Sequence, residues 1–270
     1  TAVESAAPPT STRTVMLKHH LTALAVFLSL AACSTPTPPA VPKNADELAR
    51  EQFVRLAVQA VYPVGREANP GWSQASLAVH YSIDRENQIV DCKAGPVSDP
   101  KSSGGLPFSP KVAERMNHLC WQTVLPPMPT QLMDEGPTTQ LIAPLLFPEL
   151  AEDAQGYSRE TAFYARNAYF WEQLFANRAL DSIGRAHLVG ILDEQNNVSA
   201  CEVILEPHPM RRREFKQDND LLDHLSQACA HLDDVPSIPR QPLNAEGQQV
   251  FAVTLDYSPW RHKADSPTNR

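Results

Sequence analysis

Apolar and polar residues alternate with a period of two between residues 75 and 95, the pattern of a half-buried strand. Leu77, Val79, Tyr81 and Ile83 share one face; Val90, Cys92 and Ala94 share the next, after the polar run Asp84-Arg85-Glu86-Asn87. The pattern returns downstream as Ala186, Leu188, Gly190 and Leu192, then Asp193-Glu194-Gln195-Asn196, then Cys201, Val203 and Leu205. Asp and Asn tolerate the left-handed backbone that a tight turn needs. Each stretch therefore predicts a β-hairpin.

After each hairpin the period changes to that of a helix. Ser109 with Pro110 reads as an N-cap and first helical residue, and Val112, Met116, Leu119, Cys120 and Thr123 form one stripe behind it. Asp218 is the matching cap, followed by Leu221, Leu225, Ala228, Cys229 and Leu232. Both helices must stop ahead of proline clusters, Pro126-Pro127 and Pro236 to Pro239. A closing strand follows in each case, Thr138 to Phe147 and Gln248 to Tyr257, and leading helices are expected over Ala45 to Val61 and Arg159 to Ala176. The expected fold class is α+β, built as helix–β-hairpin–helix–strand twice over, with units spanning 44–150 and 151–262.

The start of the chain has a different character. Leu21 to Ala32 carry no charge, and Met16, Leu17, Lys18, His19 and His20 precede them. A basic start, a short apolar core and small residues before a cut describe a secretory signal. About 12 residues fall short of the roughly 20 that a spanning helix needs. The ending Leu30-Ala31-Ala32-Cys33 resembles the lipobox of bacterial lipoproteins, which implies cleavage of residues 1–32 and a covalent lipid on Cys33. Ser34 after the cysteine implies, by the same resemblance, the outer membrane and a periplasm-facing protein. The plain alternative is an unlipidated signal or a fortuitous apolar stretch. Residues 33–43 would be the lipidated cysteine and a Pro-rich tether, with 263–270 a disordered tail.

The other four cysteines repeat a spacing of 28, Cys92 to Cys120 and Cys201 to Cys229, and the pairs are offset by 109. At that offset Asp84 meets Asp193, Asn87 meets Asn196, Pro100 meets Pro209 and Pro127 meets Pro236. Coincidence of cysteines, turns and apolar pattern points to an internal duplication. In an exported compartment, and with one cysteine of each pair on a strand and one on a helix stripe, two internal disulfides are expected. Of three pairings the duplication favours Cys92–Cys120 and Cys201–Cys229; a metal site or free core thiols are the rival readings.

The hairpin Ile83-Asp84-Arg85-Glu86-Asn87-Gln88-Ile89-Val90, with Ser102-Ser103-Gly104 ahead of the helix and Val61-Tyr62-Pro63 upstream, resembles the TonB C-terminal domain. Asn87 stands where that family commonly has Gly, a workable exchange in a left-handed turn. The second unit keeps Asp193 and Asn196 but lacks Ser-Ser-Gly and Tyr-Pro. The resemblance implies two tandem TonB-C-like units. It also implies a binding mode in which the last strand accepts an extended peptide from a partner. A cleavable signal and lipid in place of an inner-membrane helix, with no long spacer, argue against energy transduction. Pro144 blunts the first closing strand, whereas the second has no proline. The expected partner edge is therefore Val250, Phe251, Ala252, Val253, Thr254 and Leu255, unless this strand pairs with the other unit internally.

Composition narrows the remaining possibilities. The chain carries 23 Lys and Arg against 31 Asp and Glu, a net charge of −8, which argues against nucleic-acid binding. Its one basic run, Arg211-Arg212-Arg213, precedes Glu214 and reads as a solvated loop. Gly71-Trp72-Ser73-Gln74-Ala75 lacks the second glycine of a nucleophile elbow, and Ser102 and Ser103 lie in a polar loop. His224 and His231 share a predicted helix face without a carboxylate partner, His80 and His187 lie along first strands, and Asp233-Asp234 reads as surface. Phe163, Tyr164, Tyr169, Phe170, Trp171 and Phe175 are expected to pack as core between the units, with a ligand or partner surface as the alternative. The resulting expectation is a non-enzymatic envelope lipoprotein with no catalytic residues, metal or cofactor beyond the lipid at Cys33. It would bind an envelope protein or peptide by strand addition. A purely structural envelope lipoprotein is the runner-up, and a metal-binding or hydrolytic protein the third reading.

Overall fold

The computed structural model describes residues 44–99, 101–148, 154–175, 178–241 and 243–261. The expected signal 1–32, the expected lipidation position Cys33, the expected tether 33–43 and the expected tail 263–270 lie outside the described residues. Residues Lys43–Arg270 form one compact unit. It is mixed α+β, with two antiparallel three-stranded sheets. In the first half α1 (Ala45–Ala68), β1 (Ala75–Asp84), β2 (Ile89–Gly95), α2 (Pro110–Leu119) and β3 (Thr138–Phe147) follow in order. In the second come α3 (Ala154–Phe175), β4 (Gly184–Leu192), β5 (Val198–Pro207), α4 (Asn219–Cys229) and β6 (Gln249–Tyr257). Strand orders are β2-β1-β3 and β5-β4-β6, so the first strand of each half is central.

Both hairpin turns form as their residues require. Asn87 and Asn196 take φ of 61° and 64°, and the side chains of Asp84 and Asp193 each accept two backbone N–H groups across the turn. A register shift follows at the same place in each sheet, between Ser82 and Ile83 and between Ile191 and Leu192. The expected face Val90-Cys92-Ala94 is corrected by this bulge. Val90 is the extra residue and is exposed, and Ile89 takes the core position. The two ladders also show that the repeat slips by one: Tyr81 pairs with Leu141 and Gly190 with Phe251, so the closing strands are offset by 110, not 109.

Ser109 and Asp218 cap α2 and α4 by accepting from the N–H groups of Val112 and Leu221. Sulfur joins the end of each capped helix to its sheet, Cys92 to Cys120 and Cys201 to Cys229; Cys120 lies one residue past α2, in a 3-10 turn, and Thr123 beyond it is off the helix on which both were expected. α1 departs from expectation by running through Tyr62-Pro63 to Ala68. Pro63 removes one helical donor, but Val61, Val64 and Ala68 are buried on the turns around it and hold the helix together. Gly65 lies so close to β3 that a Cβ there would sit 2.7 Å from Leu145 Cδ1.

Each half has its own hydrophobic core, yet the second half reaches into the first. Ile183 and Trp260 belong to the core of α1, α2 and the first sheet. Trp260 is fully buried, and its indole N–H donates to the Thr123 carbonyl at 3.2 Å. Arg211 is a correction to the solvated-loop reading: it is 2% exposed. Its Nη1 donates to the carbonyls of Asn87 (3.0 Å) and Leu125 (3.2 Å), while Nε and Nη2 hold the Glu214 carboxylate. The loop turns inward because those two carbonyls of the first half need a donor, and Glu214 neutralises the cation that supplies it.

Replacing Cys201 and Cys229 together with Ala releases a loop of about 29 residues and should cost about 3–4 kcal/mol, read from denaturant unfolding. Trp260→Ala should cost about 3–5 kcal/mol and split a single unfolding transition into two, because the halves lose a shared core; differential scanning calorimetry resolves this.

Candidate functional site

β6 pairs only with β4 among the named strands, which leaves its other edge without a strand neighbour. The orientation of its backbone follows from three hydrogen bonds made from outside the ladder. The carbonyl of Gln248 accepts from Asn244 N–H (2.9 Å), that of Val250 from Gln241 Nε2, and that of Asp256 from Arg261 Nη1 (2.5 Å). N–H and C=O directions alternate along an antiparallel ladder, so the even-numbered residues of β6 turn both groups away from β4. The bridge Leu243↔Gln249 covers one end of the edge and Arg261 the other. Between them the backbone groups of Ala252 and Thr254 have no partner among the described residues.

Side chains divide the opposite way. Phe251, Val253 and Leu255 are buried in the second core, while Ala252 and Thr254 are exposed on the sheet face. Of the six residues expected to form the edge, then, Ala252 and Thr254 present backbone; Val250 is half closed by Gln241; and Phe251, Val253 and Leu255 support from beneath. Thr254 also ends a cross-strand chain, its hydroxyl 3.0 Å from His187 Nδ1, whose Nε2 lies 2.8 Å from Glu206.

α3 walls the edge. A cavity of about 520 Å³ opens beside Val250–Ala252, lined by Arg159, Glu160, Phe163, Arg166, Ile238 and Gln241. A second, of about 290 Å³, lies beside Thr254–Asp256 and includes Glu67, Asn167 and Arg261. Phe163 borders both and is 40% exposed. This corrects the aromatic reading in part. Phe170 and Phe175 are core of the second half, not a layer between halves, with Phe170 against Phe251 at 5.1 Å. Phe163 shares the helical stripe of Phe170 but lies two turns ahead of it, outside the second core, and so borders the cavities instead.

The site contains a buried cation that sequence reasoning passed over. Arg166 is 1% exposed; its Nε donates to the Pro236 carbonyl at 2.7 Å, and Nη2 has no partner among the described residues. Burial lowers its pKa to about 10, which leaves it charged at neutral pH. The signal was present: Arg166 falls at helical spacing with Phe170 and Leu174, on the buried stripe. Gln241 supplies a second unsatisfied atom, since Nε2 is spent on Val250 and Oε1 has no partner. Glu160, in the same cavity, is already engaged by Arg66 Nη2 (3.0 Å) and the Tyr164 hydroxyl (2.9 Å).

At the other end of the groove, Asp256 is subject to opposing influences. Burial would raise its pKa, but hydrogen bonds and charge from His208 and Arg185 hold it below the usual carboxylate range. Burial pushes Glu67 up to about 7, against the pull of Arg261. Among the described residues no three His, Cys, Asp or Glu side chains converge as metal ligands. α4 ends at Cys229, so His231 lies beyond the helix on which it was expected to share a face with His224. No helix among the described residues is long and apolar enough to cross a membrane.

Comparison with known proteins returned nothing: no family model, curated protein or solved structure matches the chain.

Because the folded-state pKa of Glu67 lies above the ordinary 4.5, the unfolded chain binds fewer protons between those values, and stability should fall as pH rises from about 4.5 to about 7. Urea midpoints across that window should show the fall in wild type and a shallower one in Glu67→Gln.

Proposed function

We propose that this protein is a non-enzymatic lipoprotein of the cell envelope that binds an extended segment of a partner by adding it as a strand to β6. The observation that carries the reading is the uncovered pair Ala252 and Thr254, capped on both sides and walled by α3. Unpaired edge groups are an adhesive that proteins ordinarily hide. An edge closed at its ends and open only beside a groove suits a short peptide better than sheet-to-sheet aggregation. The two halves are read as tandem TonB-C-like units, supported by the Asp84–Asn87 and Asp193–Asn196 turns and by the shared order of strands. Tyr62-Pro63 is a departure, since it sits inside α1 and does not open a domain.

The first half is a poorer platform. Pro144 sits in β3 opposite Ala78, where its missing N–H removes a donor from the outer edge. By the lipobox resemblance, Cys33 would tether this binding edge at the periplasmic face of the outer membrane. The runner-up, a purely structural envelope lipoprotein, needs β6 to be covered; among the described residues its only neighbouring strand is β4.

The test is proline placed at an outward N–H. Thr254→Pro removes one edge donor without touching the β4 ladder. Envelope proteins retained by the immobilised full chain should be lost with this variant and kept with Thr254→Ala, at matched thermal stability. Identical retention by both variants would rule out edge addition.

A further inference from the structure

The cavity beside Val250–Ala252 contains more chemistry than strand addition needs. Strand addition uses backbone groups alone, yet this cavity buries a guanidinium with no carboxylate against it among the described residues. Burying a charge without its counter-charge is costly, and an apolar residue would serve the α3 stripe better if packing were its only task. An arginine, unlike a lysine, offers a planar fork that fits a carboxylate in a bidentate manner.

The second orphan atom specifies what accompanies the carboxylate. Gln241 is held by its Nε2 on the Val250 carbonyl, which fixes the amide and leaves Oε1 as an acceptor awaiting an N–H. A cation with a free Nη2, lining the same cavity as an unpartnered acceptor, complements the last residue of a peptide, which carries a carboxylate and an amide N–H on one Cα. Phe163 and Ile238 line the same cavity with apolar surface for that residue's side chain. The remaining acid there, Glu160, is neutralised by Arg66 and Tyr164, and Arg159 adds positive charge.

We infer that this cavity receives the free C-terminus of the partner peptide: the carboxylate on Arg166, the terminal amide N–H on Gln241 Oε1, and an apolar terminal side chain against Phe163 and Ile238. This rests on the strand-addition reading for the rest of the peptide. It also sets the peptide's direction. With its carboxyl end at Val250–Ala252 and its body running toward Thr254 and Asp256, the peptide lies antiparallel to β6.

The experiment uses the immobilised full chain and degenerate N-acetylated hexapeptides in two forms, free acid and C-terminal amide. The free-acid pool should be retained about tenfold more than the amide pool, the effect of one charge-assisted hydrogen bond system, with apolar residues enriched at its last position. Arg166→Gln should bring the two pools to parity, Arg166→Lys should restore part of the preference, and Gln241→Leu should weaken the acid pool selectively. These last two variants keep the test open if Arg166→Gln fails to fold. Equal retention of acid and amide by wild type, or an acid preference that survives both Arg166→Gln and Gln241→Leu, overturns the inference and leaves edge addition standing. Amide peptides retained through enriched Asp or Glu would move the carboxylate to a side chain and also overturn it. An acid preference that persists undiminished in Thr254→Pro upholds the terminus site and removes the strand-addition reading. Retention of neither pool removes both.

Discussion

The joint made by Trp260 and Arg211 governs the rest of the architecture. Trp260 follows β6 by three residues and is buried in the core of the first half, with Arg211 5.7 Å from its ring. The halves are thereby fastened through the end of β6 and the β5–α4 loop. Two sheets of three strands could have been joined edge to edge into one of six, a solution that would satisfy every outward N–H of β6. Fastening them through an indole and a guanidinium leaves the edge unspent. The exposed backbone at Ala252 and Thr254 is thus a consequence of where the contact between halves was placed, and that placement rests on a few buried side chains.

What was legible in the sequence was local. The hairpins were readable because Asp84 and Asp193 act on N–H groups two and four residues away, and Asn87 and Asn196 solve the positive φ by themselves. The caps Ser109 and Asp218 work over three residues. The disulfides were readable because the duplication carried long-range information: two spacings of 28 in register with two hairpins reduced three pairings to one. The closing strands, read as Thr138 to Phe147 and Gln248 to Tyr257, already stood 110 apart against 109 for the cysteines, because a single inserted residue in a loop changes no periodicity.

The misreadings share a physical cause. Arg211 read as one of a solvated basic run, and Trp260 and Arg166 drew no reading at all; each acquires its role from a group more than 65 residues away in sequence: Asn87 and Leu125, Thr123, and Pro236. Tyr62-Pro63 failed for a related reason. Proline is a sound signal for the end of a helix when the next turn has nothing to pack on, but Gly65 lies against Leu145 and Phe147 of a strand 80 residues downstream, and Val64 and Ala68 are buried in the same core. Tertiary contact outweighed the lost hydrogen bond. The bulge at Val90 was hidden because alternation is blind to an extra residue that simply points outward.

The two halves also show how a duplicated unit becomes asymmetric. At the central-strand position where the first half has Tyr81, its hydroxyl 3.0 Å from Thr123 Oγ1, the second has Gly190. A Cβ at Gly190 would lie 2.5 Å from the Phe251 ring, so the space given up by the central strand is filled from β6. Phe251 then draws Phe170 of α3 against the same strand. That contact sets α3 along the free edge and brings Phe163 and Arg166 to the groove. In the first half the corresponding residue is Leu141, Tyr81 fills its own space, and the closing strand has Pro144 at its outer edge. One exchange of volume between a central strand and its neighbour therefore accounts for why the groove lies along β6 and not β3. The placement of the free edge thus depends on a glycine in the neighbouring strand.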